Sequence, residues 1–284
     1  MIEYIKIIII ALVCGFMAPL PSSASAHFSV LSSAVSLTSD ESKLGFYFAV
    51  FSLAFSVSVF ICLRKIYSKS FKAIFVKKST KGENLRVYRN VAKNVFLTIL
   101  PAILLFIPLS KDTLLIDYFD KFLTGNGLYL TGVACVINAL ILIIARWYAK
   151  QENRKLKRVC GTMSALRMSV YQLVSFIVPG FSHISSGATN MLMSDVHPKV
   201  IMREVYLYLA PSMFIVNLAK IVRYLIKDTI VDVVSVVIGA AVVMLVSYLV
   251  MKLIAKFNPK KVLGFFSLYS ALLGIGVVLF TFIV

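Results

Sequence analysis

Hydroxyl and imidazole side chains gather at two places in this chain, and both lie inside apolar sequence. The first group is Ser22, Ser23, Ser25 and His27, within Pro19-Leu20-Pro21-Ser22-Ser23-Ala24-Ser25-Ala26-His27. The second is Ser182, His183, Ser185, Ser186 and Thr189, within Pro179-Gly180-Phe181-Ser182-His183-Ile184-Ser185-Ser186-Gly187-Ala188-Thr189. Proline and small residues allow a helix to start inside such a stretch. A helix start carries unpaired N–H groups and partial positive charge, which suit a phosphate. Serine and threonine hydroxyls donate to phosphate oxygens. A histidine supplies a proton or a charge near neutral pH. On this chemistry Ser22, Ser25, Ser182, Ser185, Ser186, Gly187 and Thr189 are candidate phosphate-binding residues. His27, Ser23 and His183 are the candidate catalytic ones, and no metal ligand is assigned.

The elements that carry these groups are membrane elements. Lipid cannot hydrogen-bond a broken backbone, so such a break survives at membrane depth only inside protein or beside a water-filled cavity. Two breaks in corresponding halves of one chain point to a binding site near the midplane. Serine and threonine also occur at ordinary helix contacts in membranes, where small residues permit close approach. The pairing of the two stretches, each with a histidine, favours a site.

Composition agrees. Of 284 residues, 60% are hydrophobic and 15% charged, and the mean hydropathy is +0.90. A soluble domain carries about 25% charged residues. The net charge of +18 is concentrated. Ten basic residues and one acid fall between Arg64 and Lys93, and seven basic residues and one acid between Arg146 and Arg167. Basic loops flanking spans mark the cytoplasmic face and attract anionic lipid. No recognition motif accompanies the charge, so nucleic-acid binding is not expected. The four cysteines, Cys14, Cys62, Cys135 and Cys160, have no paired spacing and suggest neither a disulfide framework nor a zinc site.

Along the chain, residues 7–36 begin apolar, break at Pro19–His27 and resume weakly. Neither arm is long enough to span, so the segment reads as a re-entrant helical hairpin. A secretory signal is the competing reading, with Lys6, an apolar Ile7–Val13 core and Ala24-Ser25-Ala26 as cleavage site. The similar hairpin later in the chain favours the first reading. Spans follow at about 44–63, 94–109 and 128–147. The loop 110–127, with Asp112, Asp117 and Asp120 against Lys111 and Lys121, should face outward. A second hairpin at about 168–195 precedes spans near 203–226, 230–251 and 262–284. Lys252, Lys256, Lys260 and Lys261 put the last loop inside. Lys220, Arg223 and Lys227 break the pattern, since the turn beside them should be outside.

The fold expected is therefore an all-α integral membrane protein with an inverted-topology repeat. Each half is one re-entrant helical hairpin plus three transmembrane helices. It forms a single domain over 1–284, with repeat 1 about 1–150 and repeat 2 about 165–284.

The two loops resemble the signature loops of the undecaprenyl-diphosphatase family, the bacitracin-resistance type. Its first loop has the form E-G-x-T-E-F-L-P-x-S-S-(S/T)-G-H, and Gly15, Leu20, Pro21, Ser23 and His27 match in register. Its second has the form P-G-x-S-R-S-G-A-T. Pro179-Gly180-Phe181-Ser182 and Ser186-Gly187-Ala188-Thr189 match it, separated by His183-Ile184-Ser185. Tyr206–Pro211 resembles the family's apolar stretch ending Ala-x-Pro. The resemblance implies a polyprenyl diphosphate or phosphate lipid as partner, hydrolysis of undecaprenyl diphosphate to undecaprenyl phosphate, and a place in the bacterial plasma membrane with basic loops cytoplasmic. It also implies Mg²⁺ or Ca²⁺ held by carboxylates, and an arginine on the phosphates.

The departures are chemical. The family's glutamate positions hold Cys14 and Ala18. The second serine of its pair is Ala24, and the arginine position holds His183. No acid falls in 7–36 or 168–194. The nearest is Asp195, whose place before Pro198 suits a helix N-cap. The missing carboxylates and arginine argue against standard metal-assisted hydrolysis, and His27 and His183 could replace them only in part, one as base and one as cationic phosphate ligand. Three functions follow: a phosphatase with a rebuilt site, a binder or flippase of polyprenyl phosphate, or a scaffold without activity.

Overall fold

The structure is a computed structural model. It describes residues 2–76, 85–110, 113–117, 127–148, 156–157, 159–227, 229–257 and 259–282. These form α1 (Ile2–Met17), α2 (Ala24–Ala34), α3 (Glu41–Cys62), α4 (Arg64–Phe75), α5 (Leu85–Ile103), α6 (Gly127–Tyr148), α7 (Thr162–Ile177), α8 (His183–Met193), α9 (Pro198–Ile226), α10 (Val233–Ile254) and α11 (Pro259–Phe280), with a 3₁₀ turn at Leu104–Phe106. Six of the helices are long and apolar enough to cross a membrane: α3, α5 with its 3₁₀ turn, α6, α9, α10 and α11. The chain is thus all-helical and multi-pass, as its composition requires.

The spans begin and end near the places their hydropathy indicates, with one difference. The second span starts at Leu85 rather than near 94. Its basic first turns continue the helix because they pack on α4 and α7. The stretch 64–93 is accordingly not all loop. Arg64–Phe75 is a helix, and Arg89 ties its end by donating from Nε to Ala73 O at 2.8 Å. Lys111, Asp112, Asp120 and Lys121 lie outside the described residues.

Asp195 does not cap a helix. The N-cap of α9 is His197, whose side chain accepts from Lys199 N, with Pro198 in the first turn. Asp195 instead ends α8 in a left-handed conformation, φ 61°. Its carbonyl accepts from Lys157 N at 2.7 Å, tying down the segment before α7. A short bridge between Lys157 and Val196 uses up the turn in which a cap at 195 would have formed.

Two pairs of short helices stand among the spans. In each, a helix of 16 residues is followed by a break and one of 11 residues: α1 then α2, and α7 then α8. The core wraps them, with α1 packed on α10, α7 on α5, and α8 on α6 and α9. The α6–α11 contact is close enough to exclude side chains. A Cβ on Gly132 would lie 2.9 Å from Gly274 O, and a Cβ on Gly274 would lie 2.6 Å from Gly132 O. All four cysteines are free thiols.

Candidate functional site

Each break ends in a serine that starts the next helix. Ser23 is the N-cap of α2 and Ser182 of α8, both extended at that residue. Ser23 Oγ accepts from Ala26 N at 3.1 Å, and Ser182 Oγ accepts from Ser185 N at 3.2 Å. These bonds satisfy amides that lipid could not. The breaks also hold each other. Ser182 Oγ donates to Ser22 O at 2.6 Å, and Gly180 N donates to Ser25 Oγ at 3.0 Å. Gly180 turns the second break with φ +88°, and its missing Cβ leaves room for Thr131 O of α6. Tyr206 of α9 clamps the first break by donating to Pro19 O at 2.6 Å.

The two helix starts therefore meet, and they meet on a cavity of about 1340 Å³. Ser22, Ser23, Ser25, Ser182 and His183 line it. So do Cys14 and Ala18, the positions that would be glutamates in the pattern the loops resemble. The cavity wall thus retains those positions without their charge.

The remaining sequence candidates do not line it. Ser185, Ser186, Gly187 and Thr189 are buried in α8. Ser186 Oγ donates to His183 O at 3.0 Å. Ser185 Oγ and Thr189 Oγ1 have no hydrogen-bond partner among the described residues. Gly187 is a packing position, where a Cβ would lie 2.8 Å from Val205. His27 is also buried away from the cavity, and both its ring nitrogens are engaged. A carbonyl only accepts, so Nδ1–H donates to Ser23 O at 2.6 Å. Nε2 then accepts from Tyr269 Oη at 2.7 Å. His27 thus bonds the carbonyl of Ser23, while the Ser23 hydroxyl pairs with Ser25 Oγ at 2.9 Å. His183, by contrast, packs on Phe176 with ring centroids 4.5 Å apart. Its buried Nδ1 has no partner among the described residues.

The opposite wall was not singled out from sequence. Asn217, Lys220, Tyr224 and Lys227 of α9 and its C-cap line the cavity. Their spacing follows one helix face. The signal was present as the three cations that disobey the charge pattern. Arg223 and Lys227 are used by Asp117: Arg223 Nε donates to Oδ1 at 2.8 Å, its other nitrogen pairs with Oδ2, and Lys227 Nζ is 3.2 Å away. Burial raises the Asp117 pKa, but bonds from Arg223, the Leu114 amide and Lys227 outweigh it and hold the carboxyl below its ordinary range.

A divalent ion needs convergent oxygen donors. The cavity's carboxylates are Asp117, already clamped, and Glu41. Among the described residues no three His, Cys, Asp or Glu side chains converge. The donor set does not fit a resident Mg²⁺ or Ca²⁺.

A multi-pass helical protein with two serine-capped breaks closing on one cavity is the class that fold and site define. The model for the family described as bacitracin resistance protein BacA matches residues 7–276, and the chain belongs to that family. It is 27% identical over 282 residues to undecaprenyl-diphosphatase 1 of Pseudoalteromonas translucida (strain TAC 125), covering 97% of this chain and 98% of that one. It is 26% identical over 292 residues to the undecaprenyl-diphosphatase of Enterococcus faecalis, covering 99% and 98%. A Clostridium tetani undecaprenyl-diphosphatase is 22% identical over 279 residues, covering 96% and 95%.

Proposed function

We propose that this chain is a membrane phosphatase of undecaprenyl diphosphate, releasing inorganic phosphate and undecaprenyl phosphate for reuse as a cell-wall lipid carrier. The observation that carries this is the meeting of two serine-capped helix starts, Ser23 and Ser182, on one cavity. Such starts aim amides and hydroxyls at an anion. The diphosphate sits in the cavity and the polyprenyl tail stays in lipid.

Ser22 and the free proton of the Ser23–Ser25 pair donate to phosphate oxygens, while Ser182, whose proton is held by Ser22 O, fixes the second helix start beside them. Lys220, on the α9 wall, supplies the cation that an arginine would otherwise bring. His183, which lines the cavity, takes the proton of the attacking water on its imidazole. Water attacks the terminal phosphorus, and the P–O–P bond breaks with its electron pair going to the bridging oxygen. That oxygen leaves on undecaprenyl phosphate. His27 holds the Ser23 turn through its carbonyl. Ser185, Ser186, Gly187 and Thr189 are buried in α8 behind the phosphate site.

The frame is a single domain of two inverted halves, about 1–150 and about 165–284, each a re-entrant hairpin plus three spans. Three observations support it. The hairpin helices match in length, 16 and 11 residues in both halves. Exchanging the halves maps two of the main packing pairs onto two others: α1 on α10 becomes α7 on α5, and α10 on α3 becomes α5 on α9. The spans α6 and α11, which the exchange maps onto each other, pack together. The protein lies in the bacterial plasma membrane with its basic loops cytoplasmic, and the cavity opens on the opposite face.

A second reading, binding or translocation without hydrolysis, is favoured by the lack of any acid in either loop. Phosphate release from undecaprenyl diphosphate by the purified protein separates the two. The expected result is release that EDTA leaves unchanged, that His183→Ala abolishes and that Lys220→Gln lowers about 10²-fold. Lipid binding without release selects the second reading. Neither binding nor release overturns both.

A further inference from the structure

The helix α4 carries three parallel stripes, each at i, i+4, i+7 spacing. Ile66, Ser70 and Ala73 face inward, with Ser70 and Ala73 buried and Ile66 packed on the core. Tyr67, Phe71 and Ile74 form the second stripe, extended by Phe75. Phe71 is 65%, Ile74 56% and Phe75 70% exposed, and the Phe71 and Phe75 rings touch at 5.3 Å. Lys65, Lys69 and Lys72 form the third stripe, all exposed. A loose amphipathic helix would bury its apolar stripe against its own protein. Here a different stripe does that together with Tyr67, and Phe71, Ile74 and Phe75 are left over.

The helix is held in this attitude. Tyr67 Oη donates to Leu207 O at 2.8 Å. Arg89 reaches the other end at Ala73 O and Val76 O. Thr98 Oγ1 donates to Tyr208 O at 3.0 Å, so Tyr67 and Thr98 stand at one level. From there α4 runs along α5 toward Arg89 and rises about 12 Å between Tyr67 and Phe75 at 1.5 Å per residue. It follows α3, a helix long and apolar enough to span, after the single residue Leu63. Arg86, Arg89 and Lys93 of α5 add charge at the same level.

We propose that α4 is an anionic-lipid-binding flank. Its aromatic stripe lies at the acyl–headgroup boundary, and its lysine stripe takes the phosphates of acidic phospholipids in the leaflet on the basic side. Charge complementarity selects this occupant: the exposed apolar stripe is bordered by lysines and by the arginines of α5, with no acid on α4. Clusters of basic residues beside a span are attracted to acidic leaflets in this way. The inference is independent of the phosphatase reading.

The test uses the whole chain in vesicles. The single tryptophan is Trp147, so Phe71→Trp in a Trp147→Phe background reports on α4 alone. Brominated phosphatidylglycerol and brominated phosphatidylcholine are compared as quenchers at equal mole fraction. Phosphatidylglycerol is expected to quench several-fold more strongly, and 0.5 M NaCl to reduce the preference, since screening shortens to a few ångströms at that salt. Lys65→Gln, Lys69→Gln and Lys72→Gln together are expected to abolish the preference while leaving quenching itself. These positions are exposed, and Lys69 also lies over the Tyr88 ring at 5.5 Å, so the thermal midpoint should move only slightly. Equal quenching by the two lipids, or a preference that survives loss of the lysines, overturns the proposal. Quenching by neither lipid also overturns it and assigns the stripe to a second copy or another protein.

Discussion

The two breaks share a plan and differ in their histidines. Both follow a helix of 16 residues, end in a serine N-cap and start a helix of 11. His27 is the fourth residue of its helix and His183 the first of its own. One helical turn separates the two situations. At the fourth position the ring folds back on the turn carbonyl, Ser23 O, and reaches Tyr269 on α11. At the first position the ring has no turn below it, and it lies on Phe176 beside the cavity. The first histidine is a strut, and the second stands at the cavity wall. Residue type alone does not distinguish them.

The backbone differs too, and the largest expected effect lies there. The first break is turned by Pro19 and Pro21, and the second by Gly180 in a left-handed conformation against Thr131 O. Gly180→Ala adds a Cβ to that contact and costs about 1–2 kcal/mol of backbone strain before any steric penalty. The overlap adds about 1–3 kcal/mol more. The thermal midpoint of the detergent-solubilised protein should fall by about 5 °C or more. Pro21→Ala adds no atom and should shift it far less. Equal shifts would mean that the second break is not held against α6.

A second, smaller effect sharpens the contrast between the histidines. Tyr269→Phe leaves His27 Nε2 buried without its donor, at a cost of about 1–3 kcal/mol. His27→Gln should cost a similar amount. The double variant should cost less than the sum, because both changes break one bond. His183→Ala should leave stability nearly unchanged while removing activity. Additive losses from His27 and Tyr269, measured by thermal unfolding, would remove the strut.

Much of this was legible in the sequence, and the physical reason is the membrane. Apolar runs long enough to cross lipid fixed six spans, and backbone breaks within apolar sequence marked α1–α2 and α7–α8. Boundaries failed where charge and helix coexist. Arg86, Arg89 and Lys93 read as loop but are helical, because α4 and α7 pack on that segment. Asp195 read as a cap, but its turn is used by Lys157. The serines at the breaks were identifiable because an N-cap is local. The α9 wall was not, although its cations stood out against the charge pattern. Their meaning depends on Asp117, more than a hundred residues earlier, and no local rule joins them. Tyr269 was invisible for the same reason, since its partner His27 lies in the other half of the chain.

The smallest effect asks whether the two caps are equivalent. Ser23→Ala and Ser182→Ala each remove a cap bond, worth about 1 kcal/mol. Ser182 also donates to Ser22 O across the breaks, so its loss leaves that buried carbonyl short of a donor and costs about 1 kcal/mol more. Ser23 makes no such bridge: its hydroxyl pairs with Ser25, and Ser25 reaches Gly180 N. The cross-link therefore runs through Ser25 on one side and Ser182 on the other. Ser25→Ala should match Ser182→Ala in loosening the amides of both breaks, as read by hydrogen exchange. Ser23→Ala should loosen the start of α2 alone. If all three variants loosen both breaks equally, the loops act as one rigid unit, and the separate parts given to their two histidines would have to come from the cavity wall instead.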